Sequence, residues 1–200
     1  MAEDPPVRLK IKRRSGDDRL PWWQEIEVPF DEQRTILDTL RAIDPAASPD
    51  GAPAVCEPCA DQKCGACAML INNEPLLACR LKQGEIEEPI EVRALETMPG
   101  ARDLLVDQES IRKRAGELPS AGCIDCGLCL DACPSFDRAQ PFAGPAALFR
   151  AEAAGASAAD LRGLHFWECD SVGNCSAVCP EKLPVADAIA RVKRRALLGK

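Results

Sequence analysis

Residues 123–134 read "CIDCGLCLDACP" and space Cys123, Cys126, Cys129, Cys133 and Pro134 as C-x2-C-x2-C-x3-C-P. This is the bacterial ferredoxin run, in which three cysteines hold one 4Fe–4S cluster and the fourth reaches across to a second cluster. Such a chain must therefore fold a second cysteine set against the first. Residues 169–180, "CDSVGNCSAVCP", repeat the same five positions with Cys169, Val172, Cys175, Cys179 and Pro180. Applied to both runs, the crossing rule groups Cys123, Cys126, Cys129 and Cys179 as four thiolates, suited to 4Fe–4S. It groups Cys133, Cys169 and Cys175 as three, because Val172 stands at the fourth place and cannot ligate iron. A cubane without a thiolate at one corner can lose that iron and persist as 3Fe–4S. The alternative is a 4Fe–4S cluster with water or another non-cysteine ligand at that corner.

A third group lies upstream. In "CADQKCGACAMLINNEPLLAC", Cys59, Cys64, Cys67 and Cys79 follow C-x4-C-x2-C…C, the plant-type 2Fe–2S spacing. A loop of this kind wraps the cluster, and Gly65 supplies a backbone conformation closed to other residues. Zinc is the competing reading, with Cys56/Cys59 and Cys64/Cys67 as two knuckles. Only four residues separate those knuckles, far short of a zinc-ribbon spacer, and Cys79 is then left without a role. On the 2Fe–2S reading Cys56 is a spare thiol. The N-terminus, "MAEDPPVRLKIKRR", has no apolar h-region, so the twelve clustered cysteines point to metal in a reducing compartment rather than to disulfides. The expected location is cytoplasmic.

Alternation of Val7, Leu9 and Ile11 with cations predicts a half-buried strand, and Ile26, Val28 and Phe30 predict its partner across a turn at "SGDD". Ile36, Leu37, Leu40 and Ile43 are spaced as a helix, closed by the breakers of "DPAASPDGAP". "AMLINNEPLLAC" reads as strand, Asn-rich turn and strand, and "PIEVRAL" as a further strand. The pattern changes near residue 104. Residues 105–200 are Ala-rich, punctuated by Gly and Pro, and read as short helices around the other two cysteine groups. The fold class expected is α+β, with domains at 1–104 and 105–200. In the last segment Val185, Ile189 and Val192 share one helical face, followed by Arg191, Lys193, Arg194, Arg195 and Lys200. These cations suit either a helix C-terminus or an anionic surface.

The three groups in this order, with "CGACAMLINN…LLAC", "RDLLVD", "CIDCGLCLDACPSF" and "FAGPAALFRA", resemble the iron–sulfur subunits of succinate dehydrogenases and fumarate reductases. The resemblance covers nearly the whole chain. It implies a β-grasp plant-type ferredoxin domain followed by an all-α two-cluster ferredoxin-like domain. It also implies a flavoprotein partner carrying FAD, and a relay of single electrons between FAD and quinone through 2Fe–2S, 4Fe–4S and 3Fe–4S clusters. Such a subunit sits peripherally on the inner face of a membrane through an anchor subunit. Two positions depart from the quinone-reactive members: Asp137 and Arg138 lie where a Trp follows Cys-Pro-Ser-Phe, and Asp170 lies where a His follows the first cysteine of the last run. These departures motivate a second reading, a relay for a different flavoprotein with a non-quinone donor or acceptor.

Other classes have little in their favour. The net charge of −7 is opposite to that of a general nucleic-acid binder. No stretch approaches the 18–20 apolar residues of a membrane span. No catalytic Ser/His/Asp set, phosphate loop or carboxylate pair stands out, so no residue is expected to act on substrate. The single histidine, His165, is read as packing, and Phe166 and Trp167 as shields for a cluster.

Overall fold

The computed structural model describes residues 5–15, 20–46, 48, 50–57, 59, 61–116 and 118–198. The expected turn at 15–18, parts of the breaker segment and Lys200 fall partly or wholly outside them. The chain divides into two compact units, 1–95 with 100–106, and 96–99 with 107–200.

The first unit is built on a five-stranded mixed sheet of order β2-β1-β5-β3-β4. Strands β1 (Val7–Arg13) and β2 (Trp22–Val28) run antiparallel, and β1 pairs in parallel with β5 (Ile90–Ala94). Strand β3 (Ala68–Ile71) is antiparallel to both β5 and β4 (Glu74–Leu77). Val7, Leu9 and Ile11 are buried, as their alternation predicts. The partner strand begins earlier than its apolar residues suggest. Trp22, Gln24, Ile26 and Val28 alternate on one face, and polar Gln24 is buried because Arg13 Nη1 donates to its Oε1. The Asn72-Asn73 turn between β3 and β4 has φ of 48° and 68°, which asparagine tolerates better than most residues.

Helix α1 (Ile36–Arg41) starts at Thr35, whose hydroxyl accepts from Asp38 N–H at 3.1 Å, and buries Ile36, Leu37 and Leu40. A short hairpin, β6 (Gly100–Arg102) with β7 (Leu105–Val106), completes the unit. Arg13 on β1 is buried and joined to Asp103 at 2.9 and 3.1 Å. Its guanidinium also donates to the carbonyls of Gly51 and Ala52, while Ala54 N–H donates to Asp103. A buried ion pair thus pins the irregular chain that enters the first cysteine loop.

The second unit is helical. Its elements are α2 (Glu109–Ala115), α3 (Leu128–Asp131), α4 (Pro145–Ala153), α5 (Ala158–Gly163), α6 (Asn174–Ala177) and α7 (Val185–Leu198). Helix α4 packs against α2 and α7, and α3 lies beside α6. Val185, Ile189 and Val192 of α7 are buried along one face. Gly144 has φ 91° and ψ 169°, a region nearly closed to other residues, and a Cβ there would meet Leu130 Cδ2 at 2.4 Å. The tail cations are largely engaged within the unit: Arg191 pairs with Glu152 at 2.6 Å, Arg195 donates to Ala156 O, and Lys193 donates to Cys169 O. No described helix is long and apolar enough to cross a membrane.

Candidate metal centres

No disulfide joins any of the twelve cysteines. In the first unit, the register of β3 on β4 pairs Ala68 with Leu77, so Cys67 and Cys79 flank the open end of this hairpin. Ala78 N–H donates to Cys67 O, and the two Sγ atoms stand 3.1 Å apart. The loop that carries Cys59 and Cys64 turns at Gln62 and Gly65, with φ of 56° and 72°. It is tied down from outside, because Gln62 Nε2 donates to Cys79 O and Arg80 donates to Gln62 O. Ala66 N–H points at Cys64 Sγ at 3.5 Å, the type of donor that favours negative charge on sulfur.

The thiols here perturb one another. Burial, then the hydrogen bond and charge of Cys67, push Cys79 up to about 12. Hydrogen bonds from Cys64, first backbone and then side chain, pull Cys59 below its ordinary value. Cys56 is also pushed up to about 12, by burial and then by the charges of Cys67 and Cys64. A bound cation reverses this situation, since metal coordination deprotonates thiols.

In the second unit the two cysteine runs have matching backbones. Asp125 and Ser171, each two residues after the first cysteine, have φ of 54° and 61°. Gly127 and Gly173, two residues further on, have φ of 80° and 84° and begin α3 and α6. Cys133 N–H donates to Leu130 O, and Cys179 N–H to Ser176 O, at equivalent places. The repeat in sequence is therefore a repeat in structure, and Val172 occupies the place that Cys126 holds in the first run.

The pairing of these runs produces two cavities. Cys123, Cys126, Cys129 and Cys179 line one of them, together with apolar Phe149, Leu183 and Val185. Cys133, Cys169, Cys175 and Val172 line the other, with Ser135 and Asp170 at its edge. Burial pushes Cys126 up to about 12 and Cys129 well up, and it also raises Cys123, Cys133 and Cys175. Leu183 N–H and Ser171 N–H reach Cys179 Sγ and Cys169 Sγ, each at 3.4 Å. Dense thiols with converging N–H donors fit a polynuclear iron–sulfur group. Among the described residues, no three or more Cys, His, Asp or Glu side chains are arranged to hold a single metal ion, so the fit is to a polynuclear group rather than a mononuclear one.

The surroundings hold residues that spacing does not reveal. Ser135 Oγ donates to Asp170 Oδ2 at 2.8 Å and accepts from Asp170 N–H at 3.1 Å. Asn174 Nδ2 donates to Ala132 O, tying α6 to α3. Lys193 donates to Ser171 Oγ at 2.7 Å. These partners lie 22–42 residues apart in the chain, beyond any local pattern. Asp137, Arg138 and Asp170 are exposed. Two expectations fail here. His165 is exposed, in a left-handed conformation (φ 52°) after α5, rather than packed. Beyond it, the short 3₁₀ turn Phe166–Glu168 buries Phe166 and leaves Trp167 55% exposed, and neither residue lines a cysteine cavity, where a shield was expected.

Comparison with known proteins agrees with this construction. Residues 8–113 match the family model of the 2Fe-2S iron-sulfur cluster binding domain, and residues 120–183 that of the 4Fe-4S dicluster domain. The chain is 31% identical to the fumarate reductase iron-sulfur subunit of Escherichia coli O6:H1, over 96% of this chain and 94% of that protein. It is 28% identical to the succinate dehydrogenase iron-sulfur subunit of Bacillus subtilis, over 97% and 94%. A chain of the Mycobacterium smegmatis Sdh1 complex in the apo form shares its fold, with a TM-score of 0.85 over 100% of this chain and 98% of that chain at 23% identity. The chain belongs to the family of iron–sulfur subunits of succinate dehydrogenases and fumarate reductases, and it is an electron-transfer subunit of an oxidoreductase of that type.

Proposed function

We propose that Cys59, Cys64, Cys67 and Cys79 hold a 2Fe–2S cluster, that Cys123, Cys126, Cys129 and Cys179 hold a 4Fe–4S cluster, and that Cys133, Cys169 and Cys175 hold a 3Fe–4S cluster with Val172 at the corner without a ligand. The domains carrying them are 1–104, a β-grasp ferredoxin domain, and 105–200, a helical two-cluster ferredoxin-like domain. The observation that carries the reading is the exchange of the last cysteines: Cys179 lines the cavity of the first run and Cys133 that of the second. Neither cavity collects cysteines from one run alone.

When bound, such clusters supply one-electron carriers whose potentials depend on ligands, hydrogen bonds to sulfur and burial. The protein's part is to hold them and limit water. Phe149, Leu183 and Val185 close the four-cysteine cavity. N–H groups of Ala66, Ser171 and Leu183 aim at ligand sulfurs. The partner on this reading is a flavoprotein subunit whose FAD interconverts succinate and fumarate, and the far partner is a quinone at a membrane anchor. The chain then sits on the cytoplasmic face, held there by its partners.

EPR of anaerobically purified protein tests the ligand reading. An oxidised-state 3Fe–4S signal is expected, together with 2Fe–2S and 4Fe–4S signals on reduction. Absence of the first overturns the three-cysteine assignment. Iron in the amount of these three clusters, with no stoichiometric zinc, is expected in the same sample.

A second reading keeps the clusters and changes the partners: a different flavoprotein with a non-quinone carrier. The favouring observation is the rim of the three-cysteine cavity, where exposed Asp170 is bonded to Ser135 and takes the place of the family's histidine. Co-purification separates the two. A flavoprotein that oxidises succinate supports the first, and one inert to succinate and fumarate supports the second.

A further inference from the structure

Arg150 of α4 is a buried cation, only 7% exposed. Its guanidinium donates to Asp125 Oδ1 at 2.9 Å, to Pro119 O at 3.2 Å and to Leu118 O. Asp125 is itself 9% exposed and lies between Cys123 and Cys126 on a left-handed turn. Its Oδ1 is 3.8 Å from Cys123 Sγ. Arg112, about half exposed, reaches the other carboxylate oxygen at 3.4 Å. At the equivalent place in the second run stands Ser171, an uncharged hydroxyl that meets Lys193. The two centres therefore differ in charge at matching positions.

A buried ion pair is a poor source of net stability, because desolvation offsets much of the attraction and apolar replacements of similar volume are often neutral or better. Asp125 brings the pair to 3.8 Å from a proposed ligand sulfur, where burial strengthens electrostatic effects. Reducing a cluster adds one negative charge, which a neighbouring carboxylate opposes and a neighbouring guanidinium favours.

We propose that the buried Arg150–Asp125 pair sets the reduction potential of the cluster held by Cys123, Cys126, Cys129 and Cys179, with Asp125 lowering it and Arg150 raising it, while the Arg150 fork locks residues 118–125 against α4. This rests on the ligand reading above. Both are positioning residues, since neither binds iron. Their opposed charges keep the net field at the cluster small, so removing either one unmasks the other.

The test is a mediated redox titration of the purified holo-complex, followed by low-temperature EPR. Asp125→Asn keeps the left-handed turn, which asparagine accepts, and should raise the midpoint. Arg150→Met should lower it. Each change should alter the reduction equilibrium about tenfold or more, or 59 mV for one electron. The double variant should return close to wild type. Arg150→Lys keeps the charge but loses the fork, so its midpoint should stay near wild type while the cluster is lost sooner on heating. Single variants that retain the cluster but shift together, or not at all, overturn the proposal. If either fails to assemble its cluster, Arg112→Gln is titrated instead; it must shift the midpoint down by a smaller amount, and no shift overturns the proposal equally. The wild-type spectrum distinguishes the two levels of failure. A missing 4Fe–4S signal sinks the ligand reading, and a signal whose midpoint ignores the variants sinks this inference alone.

Discussion

Two single residues in the helical unit carry unusual weight. Val172 sits at the repeat position of Cys126, on the edge of the three-cysteine cavity, and is 58% exposed. Its exposure means that a replacement needs no repacking. On the ligand assignment proposed above, Val172→Cys should fold normally, admit a fourth iron and diminish the oxidised-state 3Fe–4S signal, which EPR and iron analysis of the same sample measure. Gly144 is the opposite case, where any side chain is costly. Its backbone lies in a region worth about 1–3 kcal/mol of strain to any other residue, and its missing Cβ leaves room for Leu130 and Phe136. Gly144→Ala should cost about 2–4 kcal/mol, combining that strain with overpacking, and should show as a lower thermal midpoint with faster loss of cluster absorbance. The sequence marks Gly144 only as part of "FAGPAAL". The contact that makes it necessary comes from α3, and no local pattern reports it.

Among the elements, the β3–β4 hairpin and the paired α3 and α6 turns do the positioning, and both were legible beforehand. Asn72-Asn73 between apolar runs is a hairpin signal, and the two five-position runs align residue for residue. The joint of β1 to the loop before Cys56 was not legible, because its parts are scattered over 90 residues between Arg13 and Asp103. Desolvation opposes the Asp103 charge, but the Arg13 side chain and the N–H groups of Ala54 and Arg14 outweigh it and hold the carboxyl below its ordinary value. A group with a lowered native pKa contributes stability above the unfolded value of about 3.9 and loses it as pH falls through the native value. Asp103→Asn, which leaves Arg13 buried without its counter-charge, should cost about 3 kcal/mol. The gap from wild type should be constant from about pH 5 to 8 and close as the pH falls below about 4. Thermal denaturation of both proteins across that range measures it.

At the scale of the whole molecule, the two units differ in how they are held together. The first has a five-stranded sheet with a buried apolar face. The second has helices of four to nine residues apart from α7, which has fourteen. Isolated helices below about 12–15 residues are marginal, and buried thiols crowded in two cavities repel one another when ionised. Metal binding then supplies folding free energy. Iron removal under anaerobic chelation should leave 107–198 open to limited proteolysis while 5–106 persists, with mass spectrometry of the fragments as the readout. By itself the sequence determined the cysteine groups, their spacing and the repeat that puts Val172 opposite Cys126, since residue type and spacing are local. It also determined the change from alternating to helical texture, because periodicity is local too. Only the tertiary structure decided which charges stand near which sulfurs, where Arg13 and Arg150 are spent, and that His165 and Trp167 face outward. Those outcomes depend on burial and on contacts between residues far apart in the chain, where desolvation and packing outweigh any preference written into neighbouring residues.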